Sequence, residues 1–253
     1  MKYLFSDTWA MCMRSLRITF RSPEAFATAI IVPAILMSLF GVVFTNIMDF
    51  GSYSVIDFIV PGIIMQTVAQ STQATAIAVN NDMTKGIIDR FRSMPIAKSA
   101  VLTGHVFATI VRNIITTSIT IGVAMLIGFR PQAGFVDWLA IAGFLLLFML
   151  AFTWIAVIGG LTASNAESAS GKLFLLFILP YLSSGFVPVE SVSGALRWFI
   201  ENQPMTPVID SLRGLMLGVP VESGTILLAL AWSAGTIIVA FTLAVQIYKR
   251  KIA

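Results

Sequence analysis

The chain has 253 residues, of which 57% are hydrophobic and only 11% charged, and its net charge is +4. Ordinary globular proteins carry roughly 25% charged residues, so the length would allow one or two soluble domains, but the composition excludes them and leaves a polytopic membrane protein. The positive charge is not gathered into a nucleic-acid patch, and a lone Cys12 excludes a disulfide framework or a cysteine metal cluster.

In chain order, the first 22 residues show no signal-peptide pattern, because Arg14, Arg17 and Arg21 follow a stretch too polar for an apolar core segment. At 100° per residue, Phe5, Trp9, Cys12, Met13, Leu16 and Phe20 fall on one face and Asp7, Arg14, Arg17 and Arg21 on the other. Such a helix lies flat at the lipid headgroups with its arginines toward water and anionic lipid. Ser22-Pro23-Glu24 then turns the chain, with proline at an early helical position.

A membrane-crossing helix needs about 20 mostly apolar residues. Uncharged runs at 25–48, 58–81, 138–166 and 223–248 meet that need, and 173–189 is a shorter one ending near Pro188. A further span at 103–128 contains His105 and Arg112. Six spans place both termini on one side. With the ends cytoplasmic, that side holds Lys2, Arg14, Arg17, Arg21, Lys85, Arg90, Arg92, Lys98, Lys172, Lys249, Arg250 and Lys251. The other receives Arg130, Arg197 and Arg213. Twelve against three fixes the orientation by the positive-inside rule.

Between the second and third spans lies a dense polar island, Asp82-Met83-Thr84-Lys85-Gly86-Ile87-Ile88-Asp89-Arg90-Phe91-Arg92-Ser93-Met94-Pro95, reaching to Lys98. Ile87, Ile88 and Phe91 give it an apolar edge, and Pro95 stops its helix because proline disfavours helix in the residue before it. A short amphipathic helix held between two spans is a lever.

Inside the spans the polar residues are neutral and spaced as stripes: Gln66, Gln70, Gln73 and Asn80 in span two, and Thr109, Asn113, Thr116 and Thr120 in span three. Such groups must face other helices or a wet path. Interhelical bonding is the plainer reading, and a substrate path suits the glutamines best. Arg112 is read as snorkelling or meeting a lipid phosphate, and His105 as a packing residue. Pro180, Ser183, Ser184 and Gly185 predict a weakened, bent fifth helix, a candidate outer gate. Beyond it, Gly194–Asn202 and Val208–Leu217 read as short helices, the second ending at Gly218. Asp210 and Arg213, three apart, are placed to pair.

Absences narrow the chemistry. No phosphate-binding loop of the form G-x-x-x-x-G-K-[ST] occurs, nor H-E-x-x-H, nor G-x-S-x-G, and a single His105 forbids a multi-histidine metal site.

Taken in order on a six-span, ends-inside topology, these features resemble the ABC-2 family of exporter permeases, in particular its daunorubicin-resistance type. Gly86, Arg90, Arg92 and Pro95 match the family's loop as they stand, while Asp82 and Asp89 replace the more common glutamate. So does the late stretch Pro204-Met205-Thr206-Pro207 through Asp210, Leu212, Arg213 and Gly218. The resemblance implies one all-α transmembrane domain over 1–253. Residues 1–22 are then a connecting helix with Arg14, Arg17 and Arg21. Residues 81–98 form a coupling helix whose Asp82, Lys85, Gly86, Asp89, Arg90, Phe91, Arg92, Met94 and Pro95 sit in a cleft of a separate ATPase subunit. Residues 190–222 form re-entrant outer helices. Two permease chains and two ATPase chains make the unit, in a bacterial plasma membrane, with ATP and magnesium on the partner and no catalysis, cofactor or metal here. A hydrophobic or amphiphilic cargo suits the scattered tryptophans. The alternative is a stand-alone secondary transporter or channel, which predicts ionisable mid-membrane residues, and Arg112 is the one such residue in the spans.

Overall fold

A computed structural model describes residues 12–13, 23–44, 53–84 and 100–252. The interfacial helix with Arg14, Arg17 and Arg21 lies outside the described residues. So does the island from Lys85 onward, including Gly86, Asp89, Arg90, Phe91, Arg92, Met94 and Pro95.

The regular elements among the described residues are all helices, with no strand among them. The elements are α1 (Pro23–Phe44), α2 (Val55–Thr84), α3 (Ala100–Ile127), α4 (Phe135–Thr162), α5 (Ala166–Lys172), α6 (Phe174–Ile178), α7 (Gly194–Asn202), α8 (Met205–Leu217) and α9 (Ser223–Ile252). Four of them hold stretches long and apolar enough to cross a membrane: Val55–Thr84, Val101–Ile127, Phe135–Thr162 and Ser223–Lys251. In α1 the apolar stretch described is the shorter Ile30–Val43. As expected, α1 opens on Pro23, where a missing N–H costs nothing.

Helix α2 is the axis of the bundle, packing against α1, α3, α4, α5 and α8. Its 30 residues extend about 45 Å at helical rise. Ser54 starts it: the hydroxyl accepts from the Asp57 N–H at 3.1 Å and donates to the Asp57 carboxylate at 2.7 Å. Phe58 through Ala69 is then buried without interruption. Ile59, Ile63, Ile64 and Met65 interlock with Ile141 and Met149 of α4 and with Met205, Ile209 and Leu212 of α8. Lipid supplies no hydrophobic drive between helices, so close van der Waals approach must hold them. A Cβ on Gly160 of α4 would come 2.5 Å from the Ala76 carbonyl of α2, so only glycine permits this crossing. The outward faces are as apolar as the core: Ile31, Ile35 and Val42 of α1 and Leu227, Ile238 and Val239 of α9 are all exposed. A helix apolar all round is one surrounded by protein or lipid.

The fifth predicted span, 173–189, is not one helix. The chain leaves α4 at Thr162, several residues earlier than expected, and climbs beside α2 in pieces. The Ala163 carbonyl meets Asn80, Ser170 meets Gln73, and Gly185 meets Gly62. Those three α2 positions cover about 27 Å of rise, so the ascent is real but broken into α5, α6 and a 3-10 turn at Leu179–Leu182. Pro180 has no N–H to give, and the Ser183 hydroxyl donates to the Pro180 carbonyl. The Gly185 N–H turns to Ser183 Oγ at 3.1 Å, and the Ser184 N–H to Thr206 Oγ1 at 3.4 Å. With these bonds diverted the helix cannot continue.

Candidate functional site

Three clusters of polar side chains stand out, all built on α2. The first ties α2 to α3. Thr67 Oγ1 lies 3.4 Å from Thr120 Oγ1, Thr75 Oγ1 2.7 Å from Thr109 Oγ1, and Asp82 Oδ2 3.0 Å from His105 Nε2. Arg112 joins this seam: Nε donates to Ser71 Oγ at 2.9 Å, and Nη2 donates to the Ser71 carbonyl at 2.8 Å and to Thr75 Oγ1 at 2.7 Å. Arginine can only donate, so Thr75 accepts from Arg112 and passes its own proton toward Thr109, which donates to the His105 carbonyl at 2.8 Å. The result is one directed chain of bonds across two helices.

This geometry corrects one expectation and extends another. Arg112 does not snorkel along α3 to water. It reaches sideways to α2, and with α3 starting at Ala100 it lies about 18 Å from that end. His105 is buried, as a packing or interface residue would be, and it also bonds Asp82. Asp82 itself belongs to the last turn of α2 and is buried, so it roots the island instead of offering it a surface.

The second cluster is the predicted glutamine and asparagine stripe, which the structure divides. Asn80 is buried and donates to the Gly160 and Ala163 carbonyls at 3.2 and 2.8 Å, capping the end of α4. Gln73 donates to Ser170 Oγ at 2.7 Å. Both bind helices together. Gln66 is buried with its Oε1 unpaired. The wholly buried Asn113 amide and the Thr117 hydroxyl of α3 are also unpaired. Gln70 is exposed, with Ala74 exposed one turn on. The four α2 residues do not share one environment, because different elements cover α2 along its length.

The third cluster sits at the other end of α2. Arg213 of α8, predicted to pair with Asp210, does so at 2.7 Å. It does more. Nε and Nη2 donate to the Phe58 carbonyl at 3.3 and 3.2 Å, Nη2 also donates to the Ser184 carbonyl, and the guanidinium lies 4.0 Å over the Phe58 ring. The Ser184 hydroxyl donates to the same Asp210 oxygen at 2.7 Å. Pro180, Ser183 and Ser184 are all buried here. Beside them Gly62 and Gly185 touch backbone to backbone: a Cβ on Gly185 would lie 2.7 Å from the Gly62 Cα. Phe186 continues the contact to Phe40 of α1, ring centroids 5.1 Å apart.

The Gly62–Gly185 and Phe58–Arg213 contacts escaped the sequence reading, since nothing in local spacing pairs residues so far apart. The α2–α3 ties had a signal on one side only: Thr109 and Thr120 belong to the α3 stripe, whereas their partners Thr75 and Thr67 lie outside the Gln–Asn stripe of α2. No group of three His, Cys, Asp or Glu side chains assembles among the described residues. A groove of about 640 Å³ between α4 and α9, with Ile155, Trp232 and Val239 in its walls, is almost wholly apolar.

Comparison with known proteins adds to this. A model of the family described as ABC-2 type transporter matches residues 6–217. The daunorubicin resistance ABC transporter permease protein DrrB1 of Streptomyces coeruleorubidus is 28% identical over 230 residues, covering 90% of this chain and 81% of that protein. The probable doxorubicin resistance ABC transporter permease protein DrrC of Mycobacterium tuberculosis is 26% identical over 218 residues, covering 83% and 76%.

Proposed function

The chain belongs to the ABC-2 type transporter family, and from that premise we propose that it is the membrane half of an ATP-driven exporter. In this reading six crossings, the fifth of them broken, put both termini in the cytoplasm, and 190–222 caps the pathway outside. The basic last turn of α9, Lys249 to Lys251, suits a cytoplasmic end. A separate pair of ATPase subunits, holding ATP and magnesium, grips residues 81–98 and the segment with Arg14, Arg17 and Arg21. A second permease chain, a copy or a sister, completes the pore in a bacterial plasma membrane. The cargo is a hydrophobic or amphiphilic molecule, as the drug-resistance names of its relatives suggest.

The observation that carries this reading is the bonded α2–α3 hairpin. The island joins the ends of these two helices, and the ties at Asp82–His105, Thr75–Thr109 and Thr67–Thr120 make them one body. A push on the island then moves α2 as a whole, and α2 reaches the Arg213 cluster about 36 Å away at Phe58. ATP chemistry outside the membrane becomes displacement at the far end. The test is Arg90→Glu with Arg92→Glu, co-expressed with the partner ATPase. Export and cargo-stimulated hydrolysis are expected to be lost together, or the complex fails to assemble. Full coupling in the double variant would overturn the assignment.

A further inference from the structure

Arg112 is a cation deep in a membrane-crossing helix, and its three hydrogen bonds all go to neutral oxygens of Ser71 and Thr75. Among the described residues no carboxylate forms an ion pair with it, and its Nη1 makes no hydrogen bond. Every other intramembrane tie on α2 is neutral or, as with Asp82 and His105, matched to a partner. A charge in hydrocarbon demands a counter-charge or water. The side chain is partly buried, and its unbonded Nη1 is not sealed off.

What it opens onto is visible on α2. Ser71 and Thr75, which hold the guanidinium, are each flanked on the preceding position by an exposed residue, Gln70 and Ala74. Ala74 has no bulk, and the Gln70 amide bonds no described residue. One turn further out Gln66 is covered, so the open patch is confined to the half of α2 nearer Thr84. The patch therefore combines a fixed cation with an idle Nη1, a free amide and a small residue that leaves room. Guanidinium and amide together recognise a phosphate or carboxylate, and a seat on membrane-crossing helices takes that head on an apolar chain.

We infer that Arg112, with Gln70, is a seat for the acidic headgroup of an amphiphilic cargo, so that the exporter accepts amphiphiles with a phosphate or carboxylate head over those with a cationic one. The hydrogen bonds it donates to Ser71 and Thr75 orient the guanidinium toward the open side. This deepens the exporter reading and rests on it only for calling the ligand a cargo. Binding is measured without ATP or the partner subunit, so a failure of the coupling test leaves this one standing.

The experiment is native mass spectrometry of the full-length permease in neutral detergent, titrated with dodecyl phosphate or dodecyltrimethylammonium. Saturable binding of one dodecyl phosphate per chain is expected, with at least several-fold weaker binding of the cationic amphiphile. Arg112→Gln keeps the bonding shape but removes the charge, and should weaken dodecyl phosphate by about tenfold, the scale of one hydrogen bond to a charged group. Arg112→Lys should retain most of the affinity. If Arg112→Gln does not yield folded protein, Gln70→Leu at its exposed position should still weaken the phosphate amphiphile and leave the cationic one unchanged. Equal binding of dodecyl phosphate to wild type and Arg112→Gln overturns the proposal. So does full displacement by phosphatidylglycerol at bilayer abundance, which would make the seat one for ordinary lipid. Loss of chain dimerisation in Arg112→Gln without any amphiphile binding to wild type overturns it too, in favour of a carboxylate on the second chain.

Discussion

Replacing Arg213 tests the outer cluster most sharply. The guanidinium is 11% exposed and spreads its donors over three segments: the Asp210 carboxylate of α8, the Phe58 carbonyl of α2 and the Ser184 carbonyl of the broken ascent. Lysine at this position keeps the charge and one bond to Asp210 but has no fork to reach two carbonyls at once. Losing two or three bonds of about 1 kcal/mol each should destabilise Arg213→Lys by about 2–3 kcal/mol. Arg213→Met also strands the Asp210 carboxylate. Because that carboxylate is 36% exposed, water relieves part of the penalty, and the lower end of the 3–5 kcal/mol range for a broken buried pair applies, about 3–4 kcal/mol. At roughly 2–4 °C per kcal/mol for a chain of this size, Arg213→Met should lower the melting midpoint in detergent by about 10 °C, and Arg213→Lys by roughly two-thirds to three-quarters as much. Asp210→Asn, which keeps an acceptor oxygen, should cost least of the three. Thermal unfolding followed by monodispersity on size exclusion gives the ranking. If Arg213→Lys melts with wild type, the forked contact holds nothing together and the clamp reasoning is wrong.

Gly185→Ala would bring a methyl within 2.7 Å of the Gly62 Cα, where nothing but backbone can yield, so a loss of about 1–3 kcal/mol is expected in the same melting assay. Wild-type stability there would show that α2 and the ascent do not touch as described. Asn80→Leu and Gln70→Leu should part company. The first frees two buried carbonyls at the end of α4 and should reduce the yield of folded protein, while the second leaves yield unchanged and alters export. Equal yields for both would make the division of the stripe meaningless.

The parts of this architecture legible in the sequence are those governed by local rules. Helix α7 occupies the expected Gly194–Asn202, and α8 stops where Gly218 adopts φ +66°, the left-handed cap that glycine favours. The start of α8 lies three residues before the expected Val208, because Pro207 sits in the first turn, where no N–H is missed. The Asp210–Arg213 pair needed only helical spacing. The fifth crossing, expected to be bent, is more fully broken than expected, because freedom from charge reports where a segment partitions, not whether its backbone is continuous. Pro180 hinted at a bend, but the diversion of the Ser184 N–H to Thr206 is a long-range event. The bonds from Arg112 to α2 are hidden for a related reason. Composition shows that a charge lies in a span but not which neighbouring helix offers it oxygens.

The ties between α2 and α3 carry a consequence for how this chain can vary. Thr67–Thr120, Thr75–Thr109 and Asp82–His105 hold the two helices in a single register over four turns. One residue inserted into either helix between these points would rotate everything beyond it by about 100° and carry the polar partners out of reach of one another. Length changes are therefore confined to the connections outside the paired region, such as Gly128–Gly134, and α2 and α3 can exchange side chains but not gain or lose a residue alone. Two helices that must count together form one inherited unit.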